Sequence, residues 1–194
     1  MSSIPPLILA SNSPRRKQLL SELGYEFTVR TCPVEEDFPE DMPSNEVAEY
    51  LAEKKNRANR KVAAAHEIIL TADTVVIREQ EILNKPQDRA EAYRMIKSLS
   101  GKPHEVITGV CISDSEEFKS FSVKTTVHFA VLSDEEIYHY TDTAKPFDKA
   151  GAYGIQEWIG LIGVTHIEGS YANVVGLPTR EVYQALKSIY SDRR

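Results

Sequence analysis

The chain has 194 residues, 41% of them hydrophobic and 27% charged, with a formal net charge of −6. That length supplies one full core, in one lobe or two, but not two ordinary domains, and we read a single domain over residues 1–194. The acidic balance excludes a general attraction to nucleic acid or to an anionic membrane, so an anionic ligand has to meet a local basic cluster, as a small phosphate compound could.

The apolar run Leu7-Ile8-Leu9-Ala10 predicts a strand, which passes through the polar turn Ser11-Asn12-Ser13-Pro14 into a helix opening with Arg15-Arg16. The hydroxyls of Ser11 and Ser13, free backbone N–H groups, the positive end of a helix dipole and the guanidinium forks of Arg15 and Arg16 meet at that point. A bound phosphate chain needs such a meeting. Gly24 suits the left-handed position after this helix, and a strand about Glu26 to Arg30 leads into an acidic, proline-punctuated loop over 33–41. Ser44 is read as the N-cap of a long helix reaching about His66. A strand is predicted at Ile68 to Ile77, turning at Arg78–Glu81, and Asp88 to Glu91 fits a capping box that opens a helix to Gly101. Strands follow at Glu105 to Ser113 and Ser122 to Val131, joined by a turn at Asp114–Glu117. In the second of these, Val123, Thr125, Val127, Phe129 and Val131 alternate with Lys124, Thr126, His128 and Ala130. Ser133 to Glu136 fits another capping box, and a last helix follows Pro178-Thr179. The pattern predicts an α/β fold with a mixed sheet.

Cys32 and Cys111 lie far apart with no CxxC or Cys/His metal spacing, which predicts reduced thiols and a cytoplasmic location. Met1-Ser2-Ser3-Ile4-Pro5-Pro6 lacks a basic leader, and no apolar stretch approaches the roughly 20 residues that span a bilayer, so neither secretion nor membrane insertion is expected.

Four polar intrusions carry the chemical reading. Asp73 interrupts an apolar strand, where a carboxylate must be paired, hydrogen-bonded or metal-bound; a structural hydrogen bond or a bulge would also account for it. At about 100° per residue, Val47, Ala48, Leu51, Ala58 and Val62 share one helical arc. Lys55 falls inside that arc and Lys54 just beyond it, so Lys55 either seeks an anion or snorkels. Lys85, rigidified by Pro86, lies within a dozen residues of Asp73 and is otherwise an ordinary exposed lysine. Finally, six of the nine glycines fall between Gly151 and Gly176, which implies tightly bent or closely approached backbone. GxxxxGK[ST], GxGxxG and HExxH are all absent.

Together the segments Leu9 to Arg16, Glu35-Glu36, Leu51 to Lys55, Ala72 to Val76, Asn84-Lys85-Pro86, Leu99-Ser100-Gly101, Asp148 to Gln156 and Gly169 to Pro178 closely resemble the Maf family of nucleoside triphosphate pyrophosphatases. The block Asp148-Lys149-Ala150-Gly151-Ala152-Tyr153-Gly154-Ile155-Gln156 is similar to the branch that hydrolyses dTTP and UTP. The resemblance implies an elongated mixed β-sheet flanked by helices, two lobes around a central cleft, a homodimer, and hydrolysis of a nucleoside triphosphate to the monophosphate and diphosphate. It makes Asp73 the general base, with Lys55 and Lys85 as the catalytic cations. Arg15, Thr74 and Gln156 govern substrate choice, and Ser11, Ser13, Arg16, Asp148 and Lys149 bind substrate. Glu36 and Asp73 are implied to hold Mg²⁺ or Mn²⁺, a hard ion that takes oxygen ligands. Gln156 offers a donor and an acceptor on one amide, which suits the O4 and N3–H edge of uracil or thymine. The alternatives are a nucleotide-binding regulator of cell division without essential catalysis, and a pyrophosphatase for inosine or xanthosine triphosphate.

Overall fold

The computed structural model describes residues 5–191; Met1 to Ile4, read above for a leader, lie outside them. Among the described residues no helix is long and apolar enough to cross a membrane. In chain order the elements are β1 (Leu7–Leu9), α1 (Pro14–Glu22), β2 (Phe27–Val29), α2 (Val47–Arg60), β3 (Ile68–Arg78), β4 (Glu81–Leu83), α3 (Arg89–Leu99), β5 (Pro103–Ser113) and β6 (Phe118–Phe129). They continue with α4 (Asp134–Ala144), α5 (Trp158–Gly163), β7 (Val164–Glu168), α6 (Tyr171–Val175) and α7 (Thr179–Ser191). The strands form one mixed sheet in the order β2-β1-β3-β5-β6-β7, with β4 paired to β3. β1 runs parallel to β2 and β3, joined by helical crossovers, while β4 and β7 are antiparallel to their partners.

The chain divides into two units. The first takes the described residues through Asp73, Thr108–Val123 and those from Gly176 onward. Its central strands β1, β3 and β5 are apolar on both faces over residues 7–9, 68–70 and 110–112, as a sheet covered on both sides requires. Leu7, Leu9, Ile68, Leu70, Ala72, Val110 and Ile112 pack with Leu20 of α1 and with Val182, Ala185, Leu186 and Ile189 of α7. With a side-chain period of two, Ile69, Thr71 and Asp73 then face the opposite side, where Thr71 Oγ1 donates to the Ala52 carbonyl of α2 at 2.8 Å. Gly109 permits this closeness, because a Cβ there would collide with the backbone at Ala48 and Glu49. Cys111 is fully buried on β5, while Cys32, at the head of the acidic loop, is half-buried; both thiols are free.

The second unit takes Thr74–Ile107 and Lys124–Val175. Its core joins Val76, Leu83, Val106, Val127 and Phe129 of the strands to Ala92, Ile96 and Leu99 of α3 and to Ile137 and Tyr140 of α4. Ala152, Tyr153, Ile155 and Ile159 complete it. Asn173, on the five-residue α6, donates its amide to Val106 O at 3.1 Å and to Thr125 Oγ1 at 2.9 Å.

Several expected boundaries move. α2 begins at Val47, because Pro43 to Glu46 form a turn closed by the Glu46 N–H on Pro43 O, and Ser44 caps nothing in it. It stops at Arg60, whose guanidinium takes the carbonyls of Ala64 and Glu67 and turns the chain toward β3. Val62 therefore lies outside the helix and is 61% exposed. Asp88 caps α3 as expected, but the Glu91 carboxylate accepts from Gln87 N–H, one residue before the reciprocal position. The Ser133–Glu136 box closes both ways. β6 ends at Phe129, since Ala130 N–H turns to Gly163 O, and Val131 is exposed. The short α5, β7 and α6 fill the glycine-rich stretch that periodicity left unassigned.

Candidate active site

In the first unit the site grows from the end of β1. Ala10 N–H still donates to Leu70 O at 2.8 Å, after which Ser11 Oγ accepts from Ser13 N–H at 3.2 Å and from Arg16 Nη1 at 3.4 Å. Ser13 is the N-cap of α1, its hydroxyl accepting Arg16 N–H, and Pro14 opens the first turn, where its missing N–H costs nothing. Arg16 is anchored by Nε on Gly176 O at 2.8 Å. Burial pulls its guanidinium below the usual arginine range, opposed by the charges of Asp73 and Glu36 and reinforced by Arg15. The N-terminal amides of α1, both arginines and both carboxylates thus share one electrostatic neighbourhood.

Lys55 is the centre of that neighbourhood. Its Nζ donates to Glu36 Oε1 at 2.6 Å and to Asp73 Oδ1, and its side chain is 16% exposed against 12% for Asp73. Asp73 reaches it because the alternation of β3 puts Ile69, Thr71 and Asp73 on the α2 face. Lys54, one helical step away, turns to Asp37 instead. Helical phase therefore decides between the two lysines as expected, although the buried arc is Val47, Ala48, Leu51, Ala52, Asn56 and Asn59, with neither Ala58 nor Val62 in it. Asn59 Oδ1 accepts Cys32 N–H at 2.9 Å while its amide donates to Lys55 O at 2.8 Å, so it joins α2 to the loop that carries Glu36. Asn56 donates to Ile69 O and Cys111 O and accepts from Ser113 Oγ, holding α2 at a fixed height on the sheet.

The remaining expected residues belong to the second unit. Thr74 is half-buried and Lys85 exposed; the register Val76 opposite Leu83 returns Asn84-Lys85-Pro86 toward the Thr74 end of β3. Gly151 N–H donates to Asn84 O at 3.3 Å, which ties this segment to residues 148–156. There Lys149 is buried, its ammonium on Asp148 Oδ1 at 2.7 Å and Glu157 Oε1 at 3.1 Å. Gln156 is exposed on the turn Gly154–Glu157. Thus Ser11, Ser13, Arg15, Arg16, Glu36, Lys55 and Asp73 fall in one unit, and Thr74, Lys85, Asp148, Lys149 and Gln156 in the other.

The family model described as "Maf-like protein" matches residues 6–189. The chain belongs to the Maf family. Among its Maf relatives, a dTTP/UTP pyrophosphatase of Bacteroides thetaiotaomicron is 50% identical over 184 residues, covering 94% of this chain and 95% of that protein. Proteins of the same name from Phocaeicola vulgatus and Parabacteroides distasonis are 50% and 49% identical, each covering more than nine tenths of both chains. The solved structure of the Staphylococcus aureus Ham1 protein superposes with a TM-score of 0.55 at 14% identity, covering 95% of this chain and 99% of that one, which establishes a shared fold.

A divalent cation, expected from the likeness to Maf proteins, fits the donor set. Glu36 and Asp73 converge on one ammonium, so two hard carboxylates already meet where a cation is held. Among the described residues no group of three or more His, Cys, Asp or Glu side chains could hold a metal, so phosphate oxygens and water would have to supply the other ligands, which is how Mg²⁺ is commonly bound. Sequence reading missed Asn56, Asn59, Tyr140 and Glu157. For the two asparagines the signal was present, since an amide on the buried arc of an amphipathic helix must find partners.

Proposed function

We propose that this Maf protein hydrolyses dTTP and UTP to the monophosphate and diphosphate. The observation that carries the reading is the Lys55 ammonium held between Glu36 and Asp73 beside the Ser13-capped end of α1, in a chain about half identical to proteins named for this activity. Water attacks the α-phosphorus, the new P–O bond forms as the bridge to the β-phosphate breaks, and diphosphate leaves. Asp73 accepts the proton of the attacking water, within reach of Lys55. Arg15, Arg16 and the first N–H groups of α1 neutralise phosphate charge, and Lys85 adds a further cation. Glu36 and Asp73 would hold a Mg²⁺ or Mn²⁺ ion, which supplies charge neutralisation at the phosphates and acidifies bound water. Gln156 reads the O4 and N3–H edge of the base, with Thr74 contributing to substrate choice and Asp148 and Lys149 to binding. The family likeness also supports a cytoplasmic homodimer.

Diphosphate release from each standard NTP and dNTP with Mg²⁺ tests the reading. UTP and dTTP should lead the panel, and Asp73→Asn should lower kcat by about 10²–10⁴-fold in a protein that circular dichroism shows still folded. Equal turnover of every nucleotide would refute the pyrimidine assignment. An active Asp73→Asn enzyme would refute the base, and a protein that binds without turnover would be a regulator.

A further inference from the structure

Gln156 sits in a turn that is closed twice. Glu157 N–H donates to Gly154 O at 3.0 Å, the ordinary bond of a four-residue turn. The second closure runs through a single hydroxyl from α4. Gly154 N–H donates to Tyr140 Oη at 3.0 Å, and Tyr140 donates its own proton to Glu157 Oε2. The first and last residues of the turn are therefore held by one buried side chain that is 1% exposed. Lys149 fixes the other carboxylate oxygen of Glu157 at 3.1 Å. Gly154 leaves the carboxylate its place, since a Cβ there would stand 2.8 Å from Glu157 Cδ, and Gly160 lets α5 close onto the Ile155 carbonyl. Burial and the bond to Glu157 push the Tyr140 hydroxyl far above the ordinary phenol range, so it remains a donor at every working pH.

We propose that Tyr140 is a positioning residue for base selection, its hydroxyl clamping both ends of the Gly154–Glu157 turn so that the Gln156 amide is presented in one orientation. The inference rests on the reading of Gln156 as the group that meets the pyrimidine edge. An amide that both donates and accepts discriminates only when its orientation is fixed; a mobile turn would let it meet a purine or cytosine edge as readily. The hydroxyl is engaged by Gly154 N–H and Glu157, so its loss is expected in KM and in the ratio between nucleotides, with kcat at saturating UTP unchanged.

The test compares Tyr140→Phe, Gln156→Ala and the double variant for kcat and KM with UTP, CTP and GTP, together with hydrogen exchange of the 150–158 segment. Tyr140→Phe should raise KM for UTP about tenfold, cut the preference for UTP over CTP and GTP by a similar factor and speed exchange at Gly154. The double variant should lose no more preference than Gln156→Ala alone. If Gln156→Ala loses the preference and Tyr140→Phe keeps it, the clamp is overturned while the base reading stands. If Gln156→Ala keeps the preference, the base reading falls and the inference with it. A lower Tm for Tyr140→Phe, with unchanged preference and unchanged exchange at Gly154, would leave the hydroxyl a purely structural role and overturn the proposal.

Discussion

Replacing Lys55 by methionine keeps the length and apolar stem of the side chain but removes the ammonium that bridges Glu36 and Asp73. The partners are unequal in exposure, Asp73 near the core and Glu36 half in water, so the cost falls below that of a fully buried pair. We expect a loss of about 2 kcal/mol in urea unfolding and a fall in kcat/KM of roughly 10²-fold. His104 carries a second prediction at this scale. It lies buried against Phe129 and Tyr153, with Nε2 at 2.7 Å from the Tyr153 hydroxyl. Burial, helped by the charge of His128, holds its pKa at about 4, below the ordinary 6.5. The unfolded chain therefore binds the proton first, so this contribution to stability is complete above pH 6.5 and disappears as pH falls toward 4. Unfolding between pH 7 and 4 should lose on the order of 3 kcal/mol from this residue, and His104→Phe should flatten that part of the curve.

At the scale of elements, the contact between α2 and the sheet is set by a missing side chain. Gly109→Ala would drive a Cβ into the α2 backbone, which cannot rotate aside as a side chain could. Urea unfolding should show a loss of about 1–3 kcal/mol, and the displacement of α2 would carry Lys55 away from Asp73 and lower activity as well. The same helix marks the limit of what its residues reveal in isolation. Its apolar spacing predicted that Lys55 turns inward, because phase depends only on sequence separation. Its ends were misplaced, because Arg60 reaches carbonyls four and seven residues ahead, and nothing in the spacing of Val47 to Arg60 encodes that reach. The strands were more legible, since burial on both faces leaves long apolar runs. α5, β7 and α6 were not, because five or six residues broken by Gly160, Gly163 and Gly169 hold no period to detect.

Across the molecule, the Ser11 to Arg16 turn and the carboxylate at 73 were visible because each violates the local pattern, polar groups standing where apolar ones are expected. Their meeting with Glu36 was not visible in the same way. Glu36 lies in a loop without periodicity, and that loop returns to α2 through side-chain ties that spacing does not encode, Asn59 to Cys32 N–H, Lys54 to Asp37 and Lys55 to Glu36. Tyr140 and Glu157 left no trace in spacing, because an aromatic on an apolar helix face reads as core whatever its hydroxyl does.

The two thiols differ enough to be put to use. Cys111 is enclosed on β5 and pushed up to about 12 by burial, so it should resist alkylation in the native protein. Cys32 is reachable and stands four residues before Glu36, its own amide hydrogen-bonded to α2. A maleimide dye should therefore couple once per folded chain and twice after denaturation, as mass spectrometry would count. The natural sequence thus brings its own reporter, a fluorophore on the acidic loop whose emission can follow nucleotide arrival without any engineered cysteine.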